Sequence, residues 1–597
     1  MRCTAVCRVP PCRWKTCGSD LTRHLQGCDE VLLLAATLGA EVDKLLRRME
    51  LTDIALAAAA DALASVLLEQ VCDELENEIR AQIEAQGVFM TGRYAPGYGD
   101  CPLELNDALC LAGGHGARLR PGRDAPAPFD PPQEYHRHFR HCRPSRDRHP
   151  RRLCDLPFKG DLLVPQARHD LFHTRLIGEK RMQIREVFDR KRFVFLDGGM
   201  GTQLQARGLQ PEQKPELAAL EMPEVLTAIH TDYANAGADI LLANTFGANA
   251  KKLTGCGHTV EEVVSASIAC ARKAAETTGA CVALDIGPLG ELLVPAGTLA
   301  FEDAYNEFAQ VIRAGAAAGA DLVFLETMTD LYELKAAILA ARENCDLPVF
   351  TSMSFESRGR TFTGCTVESY AVTAAGLGAD AVGINCSLGP KEILPFAQRL
   401  CRSVPAGVPV FVKPNAGLPN PDGSYNLDPD EFAAEMKEYA AIGVSMVGGC
   451  CGTTPAFIAR LHETFSPLTP ADKIPIRRSC LCTPVRFVEV DGITVVGERI
   501  NPTGKKRLQQ ALRDGDSAYP CTQAVAQAEA GAQVLDVNAG LPGIDEAATL
   551  EQLVKDLQAV TDLPLQLDSS NPEALSRALR IYNGKPIVNS VNGEPET

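Results

Sequence analysis

From Phe193 onward the chain repeats one pattern: a short apolar run, a polar or glycine-rich turn, and an alanine-rich segment long enough for a helix. Runs that are apolar throughout are typical of parallel strands buried on both faces. Eight such runs in about 280 residues predict a (β/α)8 TIM barrel, with a doubly wound sheet as the alternative. The eight strand candidates are FVFLDGGMGT, ADILLANTF, CVALDIGPL, ADLVFLETM, PVFTSMSF, ADAVGINCS, PVFVKPNAG and VSMVGGCCG.

A second series of the same kind follows a linker near residues 466–473 that contains Pro and Lys. Its four strand candidates are ITVVGERINPTG, AQVLDVNAGLPG, LPLQLDSSNP and KPIVNSVNG. Half a barrel would leave long strand edges unpaired. We therefore expect residues 483–597 to be a truncated second (β/α) barrel.

The residues before the α/β region fall into two zones that differ in composition and in apolar pattern. Residues 28–107 are acidic and rich in Ala and Leu, with helical apolar spacing over residues 41–87, so residues 1–110 are predicted to form an α-rich fragment. Residues 111–181 lose this pattern, and seven of the eleven histidines of the chain lie between His115 and His173.

Three interpretations of residues 111–181 are open. They are a disordered basic linker, a His-rich metal site without the periodicity to hold its ligands, or a stretch translated from the wrong frame or from a spacer between two genes. We favour the third, because the sequence becomes orderly again at Met182, which would serve as a natural start.

Composition limits the class of protein. A chain of 597 residues suggests about three domains. Its longest apolar run, Val31–Ala40, is far shorter than the roughly 20 residues of a membrane span. The first residues lack the apolar core of a secretion signal, which predicts a cytoplasmic protein with reduced cysteines. A net charge of −17 argues against nucleic acid as the main partner.

The barrel prediction has a functional consequence, because chemistry in such barrels lies at the carboxyl ends of the strands. Polar and thiol residues stand at those ends in most of the eight runs. We expect the following residues to meet at one mouth: Asp197, Asn244, Asp285, Glu326, Asn385, Cys386, Asn415, Cys450 and Cys451.

Three thiols are the most specific feature of this mouth. Cys386 ends the sixth strand candidate, and the adjacent Cys450 and Cys451 end the eighth, in VGGCCGTT. Three thiolates with an open fourth position are typical of catalytic zinc, which would hold an incoming thiol as a thiolate at neutral pH. A vicinal disulfide would need a strained ring and an oxidising setting, whereas cysteines that merely fill the core would lie inside strands.

With these residues identified, residues 182–467 resemble the homocysteine-binding barrel of the zinc homocysteine methyltransferases. The resemblance rests on DGGMGT, ANTF, FLET, GINCS and GGCCGTTP. It implies that Cys386, Cys450 and Cys451 are catalytic zinc ligands and that homocysteine sulfur completes the tetrahedron. It also implies that Glu326 and Asp197 help to hold the substrate ammonium, although Glu326 alone would fit a capping or salt-bridge carboxylate.

The second series resembles the pterin-binding barrel of cobalamin-dependent methionine synthases through VGERINPTGKKR, LDVNAG, LDSS and VNSVNGE. Carboxylates and amides suit the N–H donors and carbonyl acceptors of a pterin, although several of them would also fit turns at strand ends. The later strands of that barrel and the cobalamin-binding region have no counterpart here. The pterin contacts that the resemblance implies are Glu498, Asn501, Asp536, Asn538, Asp568, Asn589 and Asn592.

The N-terminal fragment resembles the reactivation domain of the same enzymes. GCDEVLLLAATLGAEVDKLL carries the helical texture, and TGRYAPGYGD contains an Arg-x-Ala-Pro-Gly-Tyr turn that implies contacts from Arg93 and Tyr98 to S-adenosylmethionine. An ordinary Pro-Gly turn is the alternative. The order of the domains suggests an activation-subunit gene joined to a second gene through a frame error.

Together these resemblances imply an enzyme that methylates zinc-bound homocysteine to methionine. Methylcobalamin, held by a cobalamin-binding domain or protein, would be the immediate donor and methyltetrahydrofolate the source. One rival hypothesis keeps the zinc barrel but takes the methyl group from betaine or S-methylmethionine. Another is a non-catalytic fragment that binds S-adenosylmethionine or a cobalamin protein.

Overall fold

The structure of the protein is a computed structural model that describes residues 2–9, 31–84, 192–210, 213–418, 420, 425–474 and 479–590. The predictions for Arg93, Tyr98, Asn592 and residues 111–181 lie outside these ranges. None of the described helices has the length and apolar character needed to cross a membrane.

The N-terminal part contains two antiparallel strands, β1 (Arg2–Val9) and β2 (Val31–Thr37), and two helices, α1 (Ala40–Thr52) and α2 (Ile54–Glu84). The helices follow the predicted apolar spacing, whereas the strand pair was not predicted. Lys44 of α1 forms an ion pair with Asp562, and Arg47 donates to the carbonyl of Pro295 over 3.0 Å.

Eight parallel strands form one sheet whose members neighbour each other in sequence order, apart from the contact between the first and the last. A parallel bridge between Leu196 and Ile240 joins the two ends of the sheet. The barrel prediction is therefore confirmed, and the doubly wound alternative is wrong. The strands are β3 (Val194–Phe195), β4 (Ile240–Leu242), β5 (Cys281–Ile286), β6 (Leu322–Met328), β7 (Val349–Met353), β8 (Ala381–Asn385), β9 (Val410–Lys413) and β10 (Met446–Val447).

Helices connect the strands and bury their apolar faces against the sheet. Their alternation with the strands follows from the alanine-rich segments between the apolar runs. They are α3 (Met200–Ala206), α4 (Ala218–Glu221), α5 (Pro223–Asn235), α6 (Ala250–Leu253), α7 (Val260–Ala275), α8 (Phe301–Ala317), α9 (Leu331–Asn344), α10 (Val367–Gly376), α11 (Pro390–Ser403), α12 (Pro429–Met436) and α13 (Pro455–Phe465), with 3-10 turns at Pro215–Leu217 and Lys437–Ile442.

Aromatic side chains fill the inside of the barrel. The rings of Phe324 and Phe411 lie 5.0 Å apart, and Phe350 completes the group. Gly383 leaves space for Phe411, since a Cβ at this position would lie 2.3 Å from the ring. This apolar floor of Phe324, Phe350 and Phe411 keeps water out of the inside of the barrel and separates that interior from the polar mouth.

The second α/β unit contains a four-stranded parallel sheet whose strands neighbour each other in sequence order, as the four strand candidates predict. A short antiparallel pair, which was not predicted, precedes it. The elements are β11 (Cys480–Cys482), β12 (Phe487–Glu489), β13 (Val496–Ile500), β14 (Val534–Asn538), β15 (Leu565–Asp568), β16 (Ile587–Asn589), α14 (Lys506–Asp514), α15 (Ala518–Glu529), α16 (Glu546–Val560) and α17 (Pro572–Ile581).

A buried lysine joins the barrel to this second unit. Lys335 of α9 is 3% exposed, and its ammonium donates to the carbonyls of Leu579 and Tyr582, at 2.6 Å each. These carbonyls lie at the C-terminal end of α17, where a positive charge is favourable. Arg580 adds ion pairs to Glu302 and Glu343 at the edge of the same contact.

Candidate metal centre

Three cysteine sulfurs converge at the mouth of the barrel. Cys386 follows β8 directly, while Cys450 and Cys451 follow β10, and the three sulfur atoms lie within 4.8 Å of one another. The sulfurs of Cys386 and Cys451 are 3.9 Å apart. Tetrahedral zinc with Zn–S bonds of about 2.3 Å requires sulfurs about 3.8 Å apart. The spacing and the donor set therefore fit a metal of this kind.

The backbone at the end of β9 holds the cysteines in place. The amide of Cys386 donates to the carbonyl of Lys413 over 3.0 Å, and the amide of Cys450 donates to the carbonyl of Pro414 over 2.8 Å. The amide of Ala416 donates in turn to the carbonyl of Cys451 over 3.0 Å. Three residues at the end of β9, Lys413, Pro414 and Ala416, thus position all three cysteines.

Cys386 has a left-handed backbone conformation, which residues other than glycine rarely adopt. Its φ is 60°, and the φ of the following Ser387 is 62°. Left-handed residues other than glycine cost of order 1–3 kcal/mol and are concentrated at functional sites. Here the turn directs the chain across the mouth immediately after the strand ends.

The loop that carries Cys450 and Cys451 is tied to the loop after β3. The amide of Gly449 donates to the carbonyl of Asp197 over 3.1 Å, and the Thr453 hydroxyl donates to the carbonyl of Cys450 over 2.7 Å while accepting from the amide of Gly199. A Cβ at Gly449 would lie 2.2 Å from the Thr453 hydroxyl oxygen. The motifs VGGCCGTT and DGGMGT are therefore one packed unit.

The three thiols share their protons unequally. Hydrogen bonds with Cys386 and Cys450 lower the pKa of Cys451 to about 3, whereas hydrogen bonds with Cys386 and Cys451 raise the pKa of Cys450 well above its ordinary value. Asn385 adds a donor, since its amide nitrogen lies 3.9 Å from the Cys450 sulfur. The protein groups thus stabilise one thiolate, and a divalent cation would stabilise the others.

A buried lysine, which the sequence analysis missed, lies beside the thiols. The ammonium of Lys413 is 2.8 Å from Glu326 and 3.9 Å from Asp197, and all three side chains are almost fully buried. Burial opposes its charge, but Glu326 and Asp197 together raise the pKa of Lys413 above its usual range. The signal in the sequence was a lysine inside the apolar run PVFVK.

The carboxylates around Lys413 outnumber its single charge. Burial raises the pKa of Asp197 to about 7, and burial together with Glu326 raises the pKa of Asp285. Among the described residues, Asp197 Oδ1, Asp285 Oδ1 and Asn415 Oδ1 are buried acceptors without a hydrogen-bond partner. Such orphan acceptors point to a missing donor, and an ammonium group carries three N–H donors.

The remaining two predicted mouth residues are structural in this arrangement. Asn385 accepts from the amide of Thr327 and the hydroxyl of Ser352, each over 2.9 Å, which fixes the turn before Cys386. Asn244 donates to the carbonyl of Pro215 over 2.6 Å and so holds the segment ahead of α4.

The predicted pterin contacts lie at the carboxyl ends of the second sheet. Asp536 is buried, accepts from Gln566 over 2.6 Å and keeps one oxygen without a partner among the described residues. Asn538 donates to Asp568 over 2.9 Å, and Asn589 lies beside Asp568 on the neighbouring strand.

The two other contacts at this sheet are less enclosed. Glu498 is exposed and Asn501 is half-buried, and both act on the Asp536 carboxyl, whose pKa is raised mainly by burial. Asn501 also accepts from the amide of Thr503 over 3.1 Å, as a turn residue does. The structure thus places six of the seven predicted residues along one edge of the sheet, and Asn592 lies outside the described part of the chain.

Two family models match the parts of the chain that contain these residues. Residues 194–465 match the family model described as homocysteine S-methyltransferase, and residues 497–597 match the model described as pterin binding enzyme. The first match contains the three cysteines, and the second contains all the predicted pterin contacts.

Two curated relatives match a larger share of the chain than either family model does. A methionine synthase from Mycobacterium tuberculosis is 34% identical over 432 residues, and one from Mycobacterium leprae is 33% identical over 441 residues. Each alignment covers 67% of this chain and 35% of the relative, so the chain spans about a third of the length of the curated relatives it matches.

Among solved structures, a homocysteine methyltransferase from Escherichia coli in its oxidised form aligns with 25% identity and a TM-score of 0.40. The alignment covers 47% of this chain and 98% of that chain.

Proposed function

We propose that this methionine synthase-like chain transfers a methyl group to the sulfur of homocysteine, forming methionine, with methyltetrahydrofolate as the methyl source. The observation that carries the proposal is the group of three cysteine sulfurs within 4.8 Å at the mouth of a barrel that matches the homocysteine S-methyltransferase family. Three thiolates are a ligand set that zinc can complete with the sulfur of a thiol substrate as fourth ligand.

Cys386, Cys450 and Cys451 would hold zinc. Bound there, zinc would lower the pKa of the homocysteine thiol and keep it as a thiolate at neutral pH. The thiolate sulfur attacks the methyl carbon, and the electron pair of the breaking bond leaves with the donor. The chain contributes alignment and the exclusion of water, because the aromatic floor and the tied loops fix the cysteines before substrate arrives.

The amino end of homocysteine would lie against the acidic cluster. Asp197, Asp285 and Glu326 provide up to three negative charges, and Lys413 balances one of them. The remaining charge and the orphan oxygens suit the substrate ammonium. Glu326 also forms the ion pair with Lys413. The same carboxylate would therefore hold both Lys413 and the substrate ammonium.

The second sheet would bind the pterin of methyltetrahydrofolate. Asp536 has the unpartnered buried oxygen, and Asn538 and Asp568 present an amide and a carboxylate beside it. These groups match the alternating donors and acceptors of the ring. Methylcobalamin, carried by a cobalamin-binding domain or protein, would move the methyl group between the two sites.

Metal analysis tests the proposal. We expect the purified chain to retain about one zinc ion and Cys386→Ala to lose it, because two thiolates leave the tetrahedron incomplete. Cys256→Ala is the matched control, since Cys256 is a half-buried thiol outside the cluster. Wild-type protein without bound metal, or full retention by Cys386→Ala, would overturn the assignment.

The methyl donor is tested separately with the metal-loaded chain. We expect methionine to form from homocysteine and free methylcobalamin but not from betaine or S-methylmethionine. Turnover with either of the latter two would instead favour the rival hypothesis of a donor that needs no folate.

A further inference from the structure

One strand end at the mouth of the barrel contains an extra residue. The pairing of β6 with β7 shifts by one residue between Leu325 and Met328. Glu326 and Thr327 therefore lie together opposite one residue of β7, as in a β-bulge. Bulges redirect side chains and are common beside active sites. The direction of the Glu326 carboxylate, which pairs with Lys413, thus depends on how this bulge is held.

Thr327 has a backbone conformation that a β-branched residue rarely adopts. Its φ is 60°, in the left-handed region. For a β-branched residue this is an outlier, which costs free energy and persists only where the surrounding structure holds it. Such residues are concentrated at active sites and at positions that clamp a ligand.

The side chain of Asn385, at the end of β8, holds the bulge. Its oxygen accepts from the amide of Thr327 over 2.9 Å, and its nitrogen donates to the Thr327 hydroxyl over 2.8 Å. Ser352 of β7, the strand between them, donates to the same oxygen over 2.9 Å. Asn385 is fully buried. One side-chain amide therefore joins the ends of three neighbouring strands.

The pair of Thr327 and Asn385 connects the two halves of the proposed substrate site. Glu326 precedes Thr327 in the chain, and Cys386 follows Asn385. Cys386 also has a left-handed φ of 60°. Each partner of the pair is thus next to a group with a role in the proposed function, a carboxylate for the substrate ammonium and a thiolate for the metal.

We propose that Thr327 and Asn385 are positioning residues whose two hydrogen bonds fix the Glu326 carboxylate relative to the Cys386 sulfur, so that the site recognises a thiol and an amino group in one molecule. The inference rests on the proposed function. Without the pair, Thr327 would leave its left-handed conformation and the carboxylate would turn with the relaxed bulge. The site would still bind a thiol but would lose its preference for a thiol with an ammonium group.

The test measures this preference in the zinc-loaded chain by calorimetry. The two probes are homocysteine and γ-mercaptobutyrate, which has the same thiol, carbon chain and carboxylate but no amino group. Thr327→Val removes the hydroxyl and keeps the branched shape. Because one buried hydrogen bond is lost, we expect the ratio of the two affinities to fall about tenfold.

Thr351→Val is the matched control. Thr351 is a fully buried threonine of β7 whose hydroxyl lies 3.1 Å from the hydroxyl of Tyr370 on α10. We expect this variant to keep the wild-type ratio, since general loosening of the barrel weakens both probes together. Thr327→Ser restores the hydroxyl and should also keep the ratio. Thr327→Ala, which lacks both hydroxyl and branch, should lose the preference as Thr327→Val does.

The outcomes separate this inference from the function on which it rests. A wild-type ratio in Thr327→Val or in Thr327→Ala would overturn the role of the pair and leave the proposed function intact. Loss of zinc from Thr327→Val would also overturn it, because the pair would then hold the metal site rather than the carboxylate. Wild-type protein that binds zinc but neither probe would overturn both the inference and the proposed function.

Discussion

The mouth of the barrel and the carboxyl end of the second sheet contain similar residues in different arrangements. In the barrel, Asp197, Asp285 and Glu326 lie buried around one lysine and beside three thiols. In the second sheet, Asp536 and Asp568 are paired with side-chain amides, Gln566 and Asn538. The first arrangement suits a ligand with a full charge at one end, whereas the second suits a ring whose groups are mostly neutral.

The two regions also differ in how far they are closed off from solvent. An apolar floor closes the barrel under its site, and loops tie the strand ends together above it. Glu498 on β13 and Val588 on β16 are exposed in the second sheet. Charges in the barrel are therefore worth more, and cost more when unpaired, than those in the second sheet.

The largest effect on stability should come from Lys413→Met. It leaves buried carboxylates without their cation, which costs about 3 to 5 kcal/mol in the free energy of unfolding. Urea unfolding measures the loss, and Lys251→Met, which removes an exposed ion pair with Glu291, serves as the control. The double variant with Glu326→Gln should recover part of the lost free energy of unfolding. If Lys413→Met loses no more free energy of unfolding than Lys251→Met, charges in the barrel are not worth more than exposed ones.

A smaller loss is expected where the two units meet. Lys335→Met removes an almost fully buried ammonium together with its two hydrogen bonds, and the carbonyls of Leu579 and Tyr582 lose their donor. We expect the free energy of unfolding to fall by about 1 to 3 kcal/mol. The exposed pair of Lys555 and Glu551 offers the control Lys555→Met. If the unit after residue 479 unfolds at the same urea concentration in Lys335→Met as in wild type, the lysine does not join the two units energetically.

The smallest effect on folding should come from Asp568→Asn in the second sheet. The half-buried carboxylate loses one hydrogen bond from Asn538, which costs about 0.5 to 1.5 kcal/mol. Binding of methyltetrahydrofolate, followed by fluorescence, should weaken much more than stability does. Asp514→Asn, on the exposed end of α14, controls for loss of charge, and equal binding by both variants would remove Asp568 from the pterin site.

The sequence predicted what depends on local pattern. Twelve strands that begin as apolar runs were found where expected, and the thiols met because strand ends of a parallel barrel share one mouth. Pairing across the barrel could not be predicted: Lys413 on β9 meets Glu326 on β6, three strands away in the sheet, and no periodicity encodes that choice.

The strands at the N-terminus and before the second sheet were missed for a related reason. Arg2–Val9 contains Arg and Cys among its apolar residues, and Cys480–Cys482 has three residues, too few for an alternation to be recognised. Both are held by their antiparallel partners rather than by strong local preference.

Lys413 touches both halves of the barrel site. Its carbonyl accepts from the amide of Cys386, while its ammonium reaches Glu326. The length of one lysine side chain therefore sets the distance between the sulfur position and the acidic cluster. Under the proposed function, this distance would select thiol-bearing amino acids by their length, and we expect cysteine, shorter by one methylene group than homocysteine, to reach only one of the two ends.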